Sequence, residues 1–213
     1  MFRTRITTIA ALAICALLPL RAEDHSDDHG SLAAGSIAYQ YVGRVNPGTG
    51  TVYGYFTQIT GLTFPTSLFK GAPSESTAMF TFRADVKSTQ LPGNGDLGGG
   101  QFVVIPFVVA PGDFNVYFDP NPNRKWEDAN TFSTGQVIAT FSRTIDQQTI
   151  IGPISTNTAS ATLKSSSPVT LAMRPFDLGQ LVPQGVTNIT TISNMPLTGG
   201  TFAFGGFGIA AGK

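Results

Sequence analysis

Histidine and cysteine are almost missing from this chain. Its two histidines, His25 and His29, both lie in the acidic stretch Glu23-Asp24-His25-Ser26-Asp27-Asp28-His29, and its one cysteine, Cys15, lies in an apolar N-terminal run. From Ser31 to Lys213 there is neither residue. That absence excludes Ser-His-Asp and Cys-His nucleophiles from the body, together with zinc sites built from these ligands. Charge is scarce as well, at 12% of residues. No window sustains apolar residues at i, i+3, i+4 and i+7, so amphipathic helix is not expected.

The N-terminus has the layout of an export signal. Arg3 and Arg5 precede an apolar run from Ile6 to Leu20, and Leu20-Arg21-Ala22 ends on a small residue. The run is shorter than the ~20 apolar residues of a bilayer span. We expect residues 1–22 to be a signal peptide cleaved after Ala22, residues 23–35 to form an acidic His-containing tail, and residues 36–213 to form a single domain. Cleavage removes Arg3, Arg5 and Arg21, leaving ten basic residues against thirteen acidic ones and a net charge of −3. Such a chain has no electrostatic reason to seek nucleic acid. The expectations are a secreted or periplasmic protein with no transmembrane segment after cleavage, an extracellular ligand or protein as partner, and a cysteine-free mature chain stabilised by packing alone.

Alternation supplies the fold class. Phe80, Phe82, Ala84 and Val86 alternate with Thr81, Arg83 and Asp85, as a half-buried strand requires. Phe114, Val116 and Phe118 repeat the pattern, and so do Val137, Ala139 and Phe141. The run Phe102 to Val109 suits a strand, with Pro106 at a bulge or an edge because proline cannot donate to a ladder. Further strands are expected at Ser36 to Val45, Thr51 to Leu62, Thr149 to Ile154, Ala159 to Lys164, Pro168 to Arg174, Val186 to Ile192 and Thr201 to Ile209. Asn46 to Gly50, Leu91 to Gly100 and Ala110 to Gly112 carry turn chemistry. Roughly ten short strands point to an all-β antiparallel sandwich, with a flattened barrel as the alternative.

Three sets of residues are candidate sites. After cleavage, Glu23, Asp24 and His25 would offer a terminal amine, two amides and an imidazole, a square-planar set for Cu²⁺ or Ni²⁺. Asp119, Asn121 and Asn123 place oxygens at the first, third and fifth positions of a loop, as calcium sites do, although Arg124 and Asn130 replace the glycine and glutamate of an EF-type loop. In the same loop Trp126, flanked by Glu127 and Asp128, could stack on a ligand or fold back as a lid on the sheet.

For catalysis the carboxylates Glu75, Glu127, Asp113, Asp119 and Asp128 are the suspects, and Ser67 with Lys70 has the spacing of a Ser-Lys pair. Asn188-Ile189-Thr190 is a glycosylation tripeptide, and Met195 to Gly199 partly matches a cell-wall sorting pentapeptide, with a terminal strand as the better reading. The expected function is a non-catalytic binding or structural role carried by the loops 64–77, 93–100 and 119–130. The alternatives are an isomerase, cyclase or glycoside hydrolase with carboxylate or tyrosine chemistry in a barrel mouth, and a carrier of a small apolar ligand in an empty, Phe-lined barrel.

Overall fold

The computed structural model describes residues 30–46, 48–86, 88–90, 103–109, 112–151, 154–193 and 201–212. Eight strands form a closed antiparallel barrel: β1 (Ile37–Asn46), β2 (Thr51–Ile59), β3 (Phe80–Asp85), β6 (Asp113–Phe118), β7 (Gln136–Ile151), β8 (Ile154–Ser166), β11 (Val186–Ser193) and β12 (Phe202–Ala210). Each pairs with the next in that order, and β12 returns to pair with β1. A short hairpin of β4 (Ser88–Gln90) and β5 (Val103–Val109) is inserted between β3 and β6, and a second, of β9 (Val169–Leu171) and β10 (Arg174–Phe176), between β8 and β11.

The sandwich expectation is therefore corrected to the barrel alternative. A sandwich leaves two pairs of sheet edges unpaired across the core, whereas here the β7–β8 and β12–β1 ladders close the sheet on itself. Closure removes the exposed edges that would template aggregation. The strands expected around Val137, Ala139 and Phe141 and at Thr149 to Ile154 are not two neighbours. The first is the start of β7, which runs on unbroken to Ile151, and Ile154 already opens β8. The β4–β5 hairpin lies on the outer half of β7, beyond the end of β6: Val103 to Val108 pair with Ile145 to Ile150. Pro106 lies one residue past the last described β4 pairing, Gln90 with Phe107.

One end of the barrel is plugged. The β2–β3 connection buries Leu68 and Phe69 there, and the β8–β11 connection buries Phe176, Leu178, Leu181 and Val182. Leu178 and Leu181 belong to α1 (Leu178–Leu181), whose first turn is capped by Asp177 accepting from the Gly179 N–H at 2.8 Å. The segment before β1 is stitched to the plug by Leu32 N donating to the Leu181 carbonyl at 2.9 Å. Among the described residues no helix is long and apolar enough to cross a membrane.

Candidate functional site

Large rings need room inside a narrow barrel, and glycine supplies it. Gly208 of β12 stands between Tyr39 of β1 and Asn188 of β11 in register, and Gly206 stands between Tyr41 and Thr190. Each tyrosine lays its ring over the glycine and reaches the polar side chain two strands away. The Tyr39 hydroxyl donates to Asn188 Oδ1 at 2.9 Å, and the Tyr41 and Thr190 hydroxyls are 2.7 Å apart. A Cβ on Gly208 would stand 2.4 Å from the Tyr39 ring, a close approach only glycine permits.

A parallel row lies one step toward the β1–β2 hairpin, where Gly43 and Gly54 pair with each other and sit under the rings of Phe204 and Phe82. These two rings have centroids 6.3 Å apart, and Tyr41 meets both edge-on at 5.5 and 6.0 Å. Aromatic contacts of this geometry add specific attraction to their burial.

Beyond that layer the interior is not filled. A cavity of about 300 Å³ lies at the end of the barrel opposite the plug. Its apolar side is Val45, Val52, Val86, Phe114, Ile192 and Phe202, over the Phe82 and Phe204 rings. Its polar side comes from adjacent strands: Arg143, Asp146 and Gln148 of β7, Asn157 of β8, and Asn188 and Thr190 of β11. The volume is at the lower end of the range for small-molecule pockets, and the mix of an apolar wall with a few convergent polar groups is typical of them.

Arg143 and Asp146 share the cavity because of a bulge. Residues three apart in a regular strand face opposite sides of the sheet. Here Arg143 pairs with Ala161 and Asp146 with Ala159, so β7 carries one residue more than β8 between these pairs. The extra residue returns Asp146 to the interior face, where its Oδ2 is ion-paired with Arg143 Nη2. Bulges that re-aim a side chain are common next to binding sites. Asp146 is only 4% exposed, and its Oδ1 is buried with no hydrogen-bond partner among the described residues. Burial pushes its carboxyl above the ordinary carboxylate range, with Arg143 opposing the shift. Burial likewise raises the Tyr41 phenol to about 12, against the opposing effects of the Thr190 hydroxyl and Arg143.

The residues expected from sequence lie elsewhere. Glu23, Asp24 and His25 fall outside the described residues, as do residues 93–100 and Met195 to Gly199. Asp119 is ion-paired with the buried Arg124, Nη2 to Oδ2 3.1 Å, and accepts from Asn121 N at 2.8 Å. Asn121 Oδ1 accepts from Lys70 Nζ at 2.6 Å, while Asn123 is exposed. These oxygens thus face two protein cations, and among the described residues no group of three or more His, Cys, Asp or Glu side chains converges.

Trp126 lies on the outer wall of the barrel. It stacks on Phe132 with centroids 4.9 Å apart, meets Tyr53 and Tyr55 at 6.0 and 5.7 Å, and carries the Arg44 guanidinium 4.9 Å above its ring. Its carbonyl accepts from the Tyr53 hydroxyl at 2.9 Å. Glu127 is exposed beside it, and Asp128 caps the short 3-10 turn Ala129–Ser133 by accepting from Asn130 N. Of the other suspected carboxylates, Asp113 is ion-paired with Lys164 and Glu75 opens a 3-10 turn; neither lines the cavity.

Sequence reading missed Asp146 and Arg143, because strict alternation sets them on opposite faces and no spacing announces a bulge. It also met Asn188 only as a glycosylation acceptor, whereas the side chain points inward and is bonded to Tyr39. No family model, curated protein or solved structure matches this chain.

Proposed function

We propose that this chain is an exported binding protein that holds a small, mostly apolar molecule in the barrel cavity. The observation that carries this reading is the cavity itself: a Phe-floored space of about 300 Å³ above a solid plug, with polar groups gathered on one wall. A filled interior would have argued for a structural role.

Two features favour binding over turnover. Glycoside hydrolysis requires a pair of carboxylates, and Asp146 is the only carboxylate among the described lining residues. The Tyr41 phenol, held at about 12, is poorly matched to proton transfer near neutral pH.

The test is equilibrium dialysis of an uncharged aromatic probe, 2-methylnaphthalene, against the wild type and two variants. Val52→Trp fills the cavity from its apolar side and should weaken binding at least tenfold. Trp126→Leu alters only the outer wall and should leave it unchanged. Binding that survives Val52→Trp but is lost in Trp126→Leu would transfer the site to the outer surface and overturn the proposal.

A further inference from the structure

Two side-chain amides on the polar wall keep accessible surface and lack partners. Ser155, Asn157, Ala159 and Ala161 share the inward face of β8, since alternate residues of a strand point the same way. The other three are buried, whereas Asn157 stays partly exposed and lines the cavity. Its side-chain amide has no hydrogen bond among the described residues, and neither of its polar atoms is occluded.

Asn188 lines the cavity from β11. Its Oδ1 accepts from the hydroxyl of Tyr39, which is fully buried and stands outside the cavity lining. That hydroxyl has no other acceptor among the described residues, so turning the amide over would strand the phenol proton. With the oxygen corner of the amide fixed on Tyr39, the nitrogen corner is the one left for the cavity. Asn188 Nδ2 is likewise unbonded and not occluded.

In the β8–β11 ladder Asn157 pairs with Thr190 and Asn188 with Ala159, so the two asparagines are diagonal neighbours. Such neighbours stand about 7–8 Å apart, a gap spanned by one acceptor atom that takes a hydrogen bond from each amide. Resting on the binding role proposed above and deepening it, we propose that the molecule held here is an uncharged carbonyl compound. Its oxygen accepts from Asn157 Nδ2 and Asn188 Nδ2, and its hydrocarbon body rests on Phe82, Phe204 and Val52.

The wall favours an acceptor over other polar groups. Arg143 can only donate, and the Thr190 hydroxyl is engaged with Tyr41. A carbonyl oxygen has two lone pairs and no proton to place, so it meets both amides at once. A hydroxyl must also find an acceptor, which requires Asn157 to turn its oxygen inward and give up its N–H. A carboxylate would bring a charge to a wall whose one cation among the described lining residues, Arg143, is already paired with Asp146.

A matched series of probes separates these cases: 2-ethylnaphthalene, 2-acetylnaphthalene, 1-(2-naphthyl)ethanol and 2-naphthoate, each titrated at neutral pH by equilibrium dialysis. The ketone should bind the wild type about tenfold more tightly than the hydrocarbon, the gain expected of two neutral hydrogen bonds, and more tightly than the alcohol or the naphthoate. Asn157→Leu keeps the size of the side chain and leaves the Tyr39–Asn188 bond in place. In it the ketone's advantage should shrink about threefold while the hydrocarbon still binds, with near-UV circular dichroism reporting the fold.

Independently of any variant, the carbonyl stretch of the bound ketone should lie below its position in hexane, and the side-chain amide resonances of Asn157 and Asn188 should move with the ketone and not with the hydrocarbon. Equal affinities for ketone and hydrocarbon, tightest binding of the alcohol or the naphthoate, or a stretch at its hexane position would overturn this inference and leave the cavity assignment standing. Failure of all four probes to bind would sink both.

Discussion

Replacing Gly208 with alanine sets a methyl group against a ring that has nowhere to go. The new Cβ would stand 2.4 Å from Tyr39 Cε2 and 2.5 Å from Cζ. Tyr39 is fully buried, meets Phe56 edge-on at 4.9 Å, and is tied to Asn188 through its hydroxyl. Overpacking of this kind costs about 1–3 kcal/mol, and the confinement of the ring sets the expectation at the upper end, about 3 kcal/mol. For a domain of this size that lowers Tm by roughly 6–12 °C.

Tyr39→Val alone should cost about 4 kcal/mol, from the lost ring and the Asn188 oxygen left without its donor. In that background the methyl of Gly208→Ala enters vacated space and should cost less than about 1 kcal/mol, giving a coupling energy of about 2 kcal/mol. Urea unfolding of the four proteins, followed by far-UV circular dichroism, measures the cycle. Equal costs of Gly208→Ala in both backgrounds would refute the claim that the ring is what requires glycine here.

The remaining predictions concern the turn, the outer loop and the buried acid. Ala172 and Met173 close the β9–β10 hairpin with φ of 46° and 70°, and Met173 is 95% exposed. Met173→Gly should therefore stabilise the protein by about 1 kcal/mol, visible as a higher urea midpoint, since it relieves a left-handed conformation and loses no contact. Arg124→Ala removes a buried guanidinium bonded to Asp119 and Thr131. It should cost about 3 kcal/mol and shift the emission of Trp126, the only tryptophan, to the red; an unchanged spectrum would show that Arg124 does not hold this loop. Because the folded carboxyl of Asp146 lies above its ordinary value of 3.8, the folded state binds that proton more tightly than the unfolded chain. Its contribution to stability falls as pH rises through the window between the two values. Asp146→Asn should flatten this part of the urea-midpoint curve; a contribution that rises with pH would contradict the assignment.

Much of the wall was legible in the sequence, and the reason is local. Phe80, Phe82 and Ala84 are buried as their alternation requires, as are Phe114 and Val116. The choice between sandwich and barrel was not legible, because both give the same period of two and differ only in the non-local ladders that close the sheet. Phase was lost wherever a bulge intervened. Val137 is half-exposed while Ile138, Ala139 and Phe141 are buried, since β7 carries one extra residue opposite Val116 and Tyr117. The β9–β10 turn was read through as one strand because Ala172-Met173 lacks the asparagine or glycine that such a turn favours.

The site followed the same division. Phe82, which floors the cavity, was recognisable as core from its alternation, whereas the glycines under the rings, Gly43, Gly54, Gly206 and Gly208, lie inside expected strands and gave no sign of the rings they accommodate. The inward polar residues Arg143, Asp146, Asn157 and Asn188 could not be told from surface ones, because their direction depends on the register of β7 against β8 and of β11 against β12.

Backbone amide shifts recorded during a titration with 2-methylnaphthalene test the cavity assignment most directly. Perturbations should concentrate at Val45, Val52, Ala84, Phe114, Ile192 and Phe202, around the cavity, and spare the surroundings of Trp126. Shifts centred on Trp126, or none in the barrel interior, would contradict it.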